Sequence, residues 1–256
     1  MKILFIGDIV AQPGRKAVEK VLPTLRSSDS IGLCLANAEN LAHGRGATEG
    51  VIRDMMKVGV DYFTGGDHLF WQKGIEDVID SLPVIRPANY PEGTSGKGYA
   101  VIDLGAKGRV LLINLMGRAF FNLSTDDPFR AADRILKEHE GEKFEAIVVD
   151  FHAEATSEKM ALGFYLDGRV TAVVGTHTHV PTCDCFVMPK GTMYVSDIGM
   201  TGNIDSVLGV KKEIIIKQMM SSMNQKFEWE EEGRTAFRSV LIDTDKKEIS
   251  RVDKYV

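Results

Sequence analysis

At 256 residues the chain is long enough for one large domain, or at most two small ones, and for a sizeable buried core. Its 31 basic and 36 acidic side chains leave a net charge of −5, which argues against a dedicated nucleic-acid coat. With 44% apolar and 26% charged residues it reads as an ordinary globular protein, neither disordered nor fibrous, and no run approaches the ~20 consecutive apolar residues of a membrane span.

The chain alternates strand-like and helix-like segments, the pattern of α/β folds. KILFIGD opens as a short apolar strand ending in a carboxylate; its apolar run ends at Gly7 and Asp8, too short for the h-region and cleavage site of a secretory signal. Pro13 stands where a helix can begin, and Ala17, Val18, Val21, Leu22 and Leu25 follow at helical spacing. IGLCLANAEN (31–40) and VDYFTGGDH (60–68) repeat the plan of an apolar strand with polar groups at its C-terminal end. RVLLINLMGR (109–118) is a further buried strand, followed by Asp127, Pro128 and the amphipathic helix FRAADRILKEH; AIVVDFHAE (146–154) and VTAVVGTHTHV (170–180) complete the set. CFVMPKGTMYVSD reads as a hairpin closed by Pro189, Lys190 and Gly191, a helix is expected at about 208–222, and TAFRSVLIDTDKKEISRVDKYV forms a final antiparallel hairpin across DTDKK. No linker, low-complexity tract or internal repeat interrupts the chain, so one domain over 1–256 is expected.

Five apolar strands therefore deliver polar residues at their C-terminal ends: Asp8, Glu39 with Asn40, Asp67 with His68, His152, and His177 with His179. In open α/β sheets ligands bind at that edge. Oxygen donors and imidazoles together suit Zn, Fe, Mn or Ni. Residues i and i+2 of an extended segment point the same way, so His177 and His179 are expected to address one site from a single strand end. The donors exceed the needs of one ion, which favours two ions about 3.5–4 Å apart sharing a carboxylate. Taken singly, each piece has a plainer explanation: strand-end aspartates cap helices, Asn40 and Asp67 fit Asx turns, and His152 could be a satisfied core histidine. The joint placement of His68, His152, His177 and His179 after strand-like runs outweighs those readings.

In the loops after these strands, HGRGAT (43–48) offers His43, Gly44 and Arg45 as substrate contacts, its glycines allowing a phosphate to approach the backbone. Arg15 is expected to brace the first helix. Cys34, Cys183 and Cys185 cannot all pair within one chain, which points to a reducing cytoplasm; Cys183 and Cys185 are read as packing residues rather than thiolate ligands. Two other functions fit parts of the pattern: a metal-stabilised binding or regulatory protein with little turnover, and a mononuclear amidohydrolase suggested by the HxH pair alone.

GDIVAQPGR, NAEN, GGDH, DFHAEATSEK and GTHTHVPT, in this order, resemble the YmdB-like branch of the calcineurin-like metallophosphoesterases. RPANYP (86–91), DPFR (127–130) and DIGMTG (197–202) extend the resemblance almost to the C-terminus. It implies a four-layered α/β/β/α sandwich with a binuclear site at the strand ends; for its two divalent or trivalent transition-metal ions the oxygen-rich mixed donors favour iron or manganese. It also implies hydrolysis of a small phosphodiester, with 2′,3′-cyclic nucleotides as the leading substrate class; the mild net acidity disfavours long RNA as the substrate, and a homo-oligomer is expected. Carried over residue by residue, Asp8, Glu39, Asn40 and His179 match the ligands of one ion. Glu39 again, Asp67, His152 and His177 match those of the other, and His68 matches the proton donor. Val10 occupies the position where the wider superfamily has a histidine, and Asp67 stands where this branch more often has asparagine, adding a negative charge beside the phosphate.

Overall fold

A computed structural model describes residues 1–256. The N-terminal half builds β1 (Lys2–Ile6), α1 (Ala11–Ser28), β2 (Leu33–Asn37), α2 (Glu49–Val58), β3 (Tyr62–Thr64) and the single turn α3 (Ile75–Val78). There follow β4 (Tyr99–Asp103), β5 (Arg109–Met116), α4 (Pro128–Glu138), β6 (Ala146–His152), α5 (Thr156–Leu166) and β7 (Ala172–Thr176). The remainder is β8 (Phe186–Val187), β9 (Met193–Val195), β10 (Gly202–Asn203), α6 (Lys212–Ser221), β11 (Thr235–Phe237), β12 (Ser239–Asp243), β13 (Glu248–Arg251) and β14 (Lys254–Tyr255).

Side-chain alternation along the strands creates the layers. Ile3 and Phe5 of β1 and Leu33 and Leu35 of β2 face the same core as Val110 and Leu112 of β5 and Val148 of β6. Their neighbours Leu4, Ile6, Cys34 and Ala36 face the other way, onto Val18 and Leu22 of α1 and Ile52 and Met55 of α2. Leu111, Ile113 and Phe151 likewise meet Ala131 and Ile135 of α4 and Leu162 and Leu166 of α5. Two sheets are thus packed face to face with helices on both outer surfaces, giving the α/β/β/α sandwich. Strands covered on both faces are continuously apolar, which is why they stand out in the sequence.

One sheet has the order β13-β12-β1-β2-β3 and the other β4-β5-β6-β7-β9-β8. The pairings β1–β2–β3 and β5–β6–β7–β9 are parallel, so within each sheet the C-terminal ends share one edge. Asp127 opens α4 by accepting from the amides of Phe129 and Arg130, with Pro128 in the first turn.

The hairpin across 189–191 forms as β8 and β9, and β12 and β13 form an antiparallel pair closed at Asp243 and Glu248. The last hairpin is not continuous, however. The ion pair of Arg238 with Asp253 (2.8 Å) lies where both arms bend, and beyond it β11 and β14 join β10 in a separate three-stranded sheet. The edge strand β4, half exposed, carries no clear sequence pattern. α1 begins at Ala11, two residues ahead of Pro13, and α6 is confined to Lys212–Ser221 because Val207 and Val210 pair with each other in a turn before it. Cys183 is exposed rather than packed, while Cys185 is partly buried against the core between the sheets. Arg15 donates through Nη1 to the Leu41 carbonyl, tying α1 to the segment after β2. No helix is long and apolar enough to cross a membrane.

Candidate metal centre

The residues that follow the parallel strands converge where the two sheets meet. Asp8 lies just after β1, Glu39 and Asn40 after β2, Asp67 and His68 after β3, His152 ends β6, and His177 and His179 follow β7. Nitrogen and oxygen atoms of Glu39, Asp67, His152 and His177 all lie within 4.8 Å of one another, and those of Asp8, Glu39 and His179 form a second such set. Glu39, almost fully buried, belongs to both.

In the first set His152 Nε2 is 3.1 Å from both Glu39 Oε2 and Asp67 Oδ1, and 3.0 Å from His177 Nδ1. In the second, Asp8 Oδ2 accepts from the His177 backbone N–H (3.2 Å), whereas Asp8 Oδ1 is buried without any hydrogen-bond partner. Asn40 lies beside this set, its Nδ2 3.0 Å from Glu39 Oε1 and 3.2 Å from His179 Nε2.

The electrostatics are those of a cation site. Asp8, Glu39 and Asp67 form ion pairs with histidines only; no lysine or arginine reaches them. Buried carboxylates without a cation are costly, and burial pushes the Asp8 carboxyl up. Burial acts the same way on Glu39, but the charge and hydrogen bonds of His152 and His68 outweigh it and hold Glu39 well below the usual carboxylate range. For His152 burial favours the neutral ring, yet Glu39 and Asp67 drive it strongly upward. Protons on imidazoles are here balancing charges that metal ions can balance instead. The orphaned Asp8 oxygen, the shared Glu39 and the mixed N/O donors all fit such ions.

Small residues and a layer of hydrogen bonds hold the donors in place. A Cβ at Gly66 would fall 2.1 Å from Glu39 Oε2 and 2.3 Å from His152 Nε2, so only glycine lets β3 turn past the cluster. His152 Nδ1 lies 2.9 Å from Thr176 Oγ1, which donates to Asp150 Oδ1 at 2.8 Å. With that hydroxyl committed to Asp150, the Thr176 oxygen accepts from Nδ1–H, so Nε2 is the nitrogen that faces the carboxylates and whose proton a metal ion could replace. Asp150 is fully buried, and burial lifts its carboxyl to about 6.

The HxH segment differs from its expected geometry. His177 (φ +98°) and His179 (φ +64°) are both in the left-handed region, not on an extended strand. They consequently point into different donor sets. A buried ion pair holds this unusual backbone: Lys159 Nζ is 2.6 Å from Asp197 Oδ2 and 2.8 Å from the Thr176 carbonyl, and Asp197 Oδ2 accepts from Thr178 N (3.1 Å) and Oγ1 (2.8 Å). Lys159 and Asp197 come from the segments DFHAEATSEK and DIGMTG, so the signal was present without an assigned purpose. Glu154 of the same DFHAEATSEK segment has its Oε2 3.1 Å from His177 Nε2, a contact that no local pattern reveals.

His68 sits at the rim, a quarter exposed, with Nδ1 3.2 Å from Asn40 Oδ1 and 3.3 Å from Glu39 Oε1 and Nε2 3.5 Å from Asp67 Oδ2. Burial lowers its basicity, but the hydrogen bond and charge of Glu39, with Asp67, raise it on balance. Above the donors lies a cavity of about 390 Å³, lined by Glu39, His68, His177 and His179 below and by Arg45 and Phe227 at its side. Of the other loop residues, His43 is exposed, and the space beside Gly44 is filled by the Trp229 indole, which a Cβ there would strike at 2.1 Å.

A family model described as YmdB-like protein matches residues 4–254. The chain belongs to the YmdB-like family. Among curated proteins it is 46% identical over 246 residues to a 2′,3′-cyclic-nucleotide 2′-phosphodiesterase of Bacillus subtilis, covering 96% of this chain and 92% of that one. It superposes with a TM-score of 0.93 on a hypothetical protein of Thermus thermophilus, at 41% identity over 100% of this chain and 99% of the other. A structure described as a novel phosphatase of Mycoplasma pneumoniae gives a TM-score of 0.91 at 30% identity, covering 100% of this YmdB-like chain and 93% of its own.

The Gly66 contact generates a test. Gly66→Ala should lower metal affinity about 10–100-fold, the range for disturbed supporting groups of a metal site, while the circular dichroism spectrum stays that of the wild type. Competition with a chromogenic chelator measures it, and an unchanged affinity would contradict the close approach of Glu39 and His152 to this backbone.

Proposed function

We propose that this chain is a metal-dependent phosphodiesterase whose centre holds two transition-metal ions, iron or manganese, and whose substrate is a small phosphodiester, foremost a nucleoside 2′,3′-cyclic phosphate. The observation that carries the reading is Glu39, buried and common to two donor sets. Asp8, Glu39, Asn40 and His179 would hold one ion and Glu39, Asp67, His152 and His177 the other. The 46% identity to a 2′,3′-cyclic-nucleotide 2′-phosphodiesterase over nearly the full length of both chains supports the substrate class. We read 1–256 as one domain, supported by the return of C-terminal β12 to pair with β1.

Bound cations would neutralise the phosphodiester charge and supply Lewis acidity towards water. The chain's own residues do the rest. Glu39, common to both donor sets, fixes their relation. Thr176 keeps the His152 ring oriented. Arg45, on the wall of the inner cavity, draws in an anionic substrate and screens its phosphate. His68, at the rim of the inner cavity, donates a proton to the leaving alkoxide oxygen. Asp67, in place of the more usual asparagine, adds a second carboxylate beside that imidazole, 3.5 Å from Nε2.

The regulatory alternative predicts little turnover, and the mononuclear one predicts no need for a shared carboxylate. Glu39→Gln should retain under about a tenth of wild-type turnover on a phosphodiester panel, because an amide lacks the charge and the second equivalent oxygen that a bridging ligand needs. Activity above that level at full metal loading would remove Glu39 from the bridging role. His68→Ala should lower kcat by about 10²–10⁴-fold on a nucleoside cyclic phosphate, whose alkoxide leaves poorly, and far less on a 4-nitrophenyl phosphodiester, whose leaving group needs little protonation. Equal losses on the two substrates would show that His68 orients phosphate and transfers no proton.

A further inference from the structure

Beyond the inner cavity lies a second and larger space of about 650 Å³ that the chemistry just described does not use. Arg45, Gln218, Phe227 and Trp229 line both, so the two are continuous. The chain has only two tryptophans, and both stand on this cleft. Trp71 is 59% exposed, an unusual position for an indole that no core requires, and its ring meets His68 edge-on at 5.9 Å. The Arg45 guanidinium is 5.0 Å from the Trp71 ring centre and 5.5 Å from that of Phe227. Gln72 anchors this arginine's backbone through a 2.7 Å hydrogen bond to its carbonyl.

The lining chemistry is selective. No acidic residue borders the cleft of a chain whose net charge is −5, while Arg45 and Lys226 do. Aromatic faces provide stacking surface. Asn224 and Gln218 bring side-chain amides to the same walls; Gln218 Oε1 already accepts from Gln225 N (3.1 Å), which leaves its NH₂ to donate. Flat π-faces, amide edges and positive charge next to a phosphate-handling centre match one class of ligand.

We propose that this outer cleft is a nucleobase subsite: the base of a nucleotide stacks on the aromatic wall formed by Trp71 and Phe227, its edge meets the amides of Gln218 and Asn224, and Arg45 marks the junction with the phosphate cavity. The assignment rests on the phosphodiesterase reading and extends it by making the base a determinant of affinity. Stacking of a base on an aromatic side chain contributes ~1–3 kcal/mol, which corresponds to roughly 5–150-fold in binding.

Because both tryptophans line the cleft, the wild-type protein reports its own occupancy. Manganese-reconstituted protein is titrated with adenosine 3′-monophosphate and with ribose 5-phosphate while tryptophan emission is followed. The nucleotide should quench the emission saturably and bind at least about fivefold more tightly than the base-free sugar phosphate. Phe227→Ala should weaken the nucleotide at least about fivefold and leave the sugar phosphate within about twofold, and Phe227→Tyr should restore it. Hydrolysis of bis(4-nitrophenyl) phosphate by the same preparation tests the catalytic reading separately. Hydrolysis together with equal affinity for nucleotide and sugar phosphate would overturn the subsite and leave that reading standing. Base-dependent quenching without hydrolysis would support the subsite while the catalytic reading failed. The wild-type comparison needs no variant, so misfolding of Phe227→Ala would not remove the test.

Discussion

Three carboxylates, Asp8, Glu39 and Asp67, are crowded at the meeting edge of two sheets with no lysine or arginine among them. Negative charge withdrawn from water in this way must be balanced, and most of what surrounds it can be understood as provision for that balance. Parallel strands aim their C-terminal ends at one place, histidines alternate with the carboxylates, and Gly66 removes the side chain that would separate them. The unpartnered Asp8 oxygen shows that the protein's own atoms leave the task unfinished. Cations complete it.

A few ångströms away the same problem has the opposite solution. Asp197 is as buried as Glu39, yet it is matched by Lys159 and by the hydrogen bonds of Thr178. One carboxylate is neutralised within the chain and becomes a fixed post for the backbone of His177 and His179; the others meet only histidines and amides, and Asp8 keeps one oxygen without any partner. Removing one partner of such a buried pair costs far more than a surface pair does, which makes Lys159 and Asp197 firm supports for a left-handed loop that its non-glycine residues would otherwise resist.

Much of this was readable from the sequence, and the reasons are physical. Strands covered on both faces form unbroken apolar runs, so β1, β2, β5, β6 and β7 and the polar residues after them are conspicuous. The HxH pair was visible, but its geometry was not: periodicity predicts two side chains pointing alike from a strand, whereas tertiary bonds from Asp197 twist the segment and divide the two imidazoles between the donor sets. Lys159 and Asp197 are far apart in sequence, and nothing local reveals that one neutralises the other. The outer cleft was equally hidden. Trp71 lies in a loop more than a hundred residues from Phe227 and Trp229, and the glycine that seemed to make room for phosphate, Gly44, makes room for an indole. The bend in the last hairpin coincides with the pairing of Arg238 and Asp253, again without a local pattern.

The central claim is that one buried carboxylate, Glu39, serves two cation positions. Elemental analysis of protein purified without chelator and reconstituted to saturation with manganese or iron tests it most directly. Two ions per chain are expected. Saturation at a single ion would contradict it.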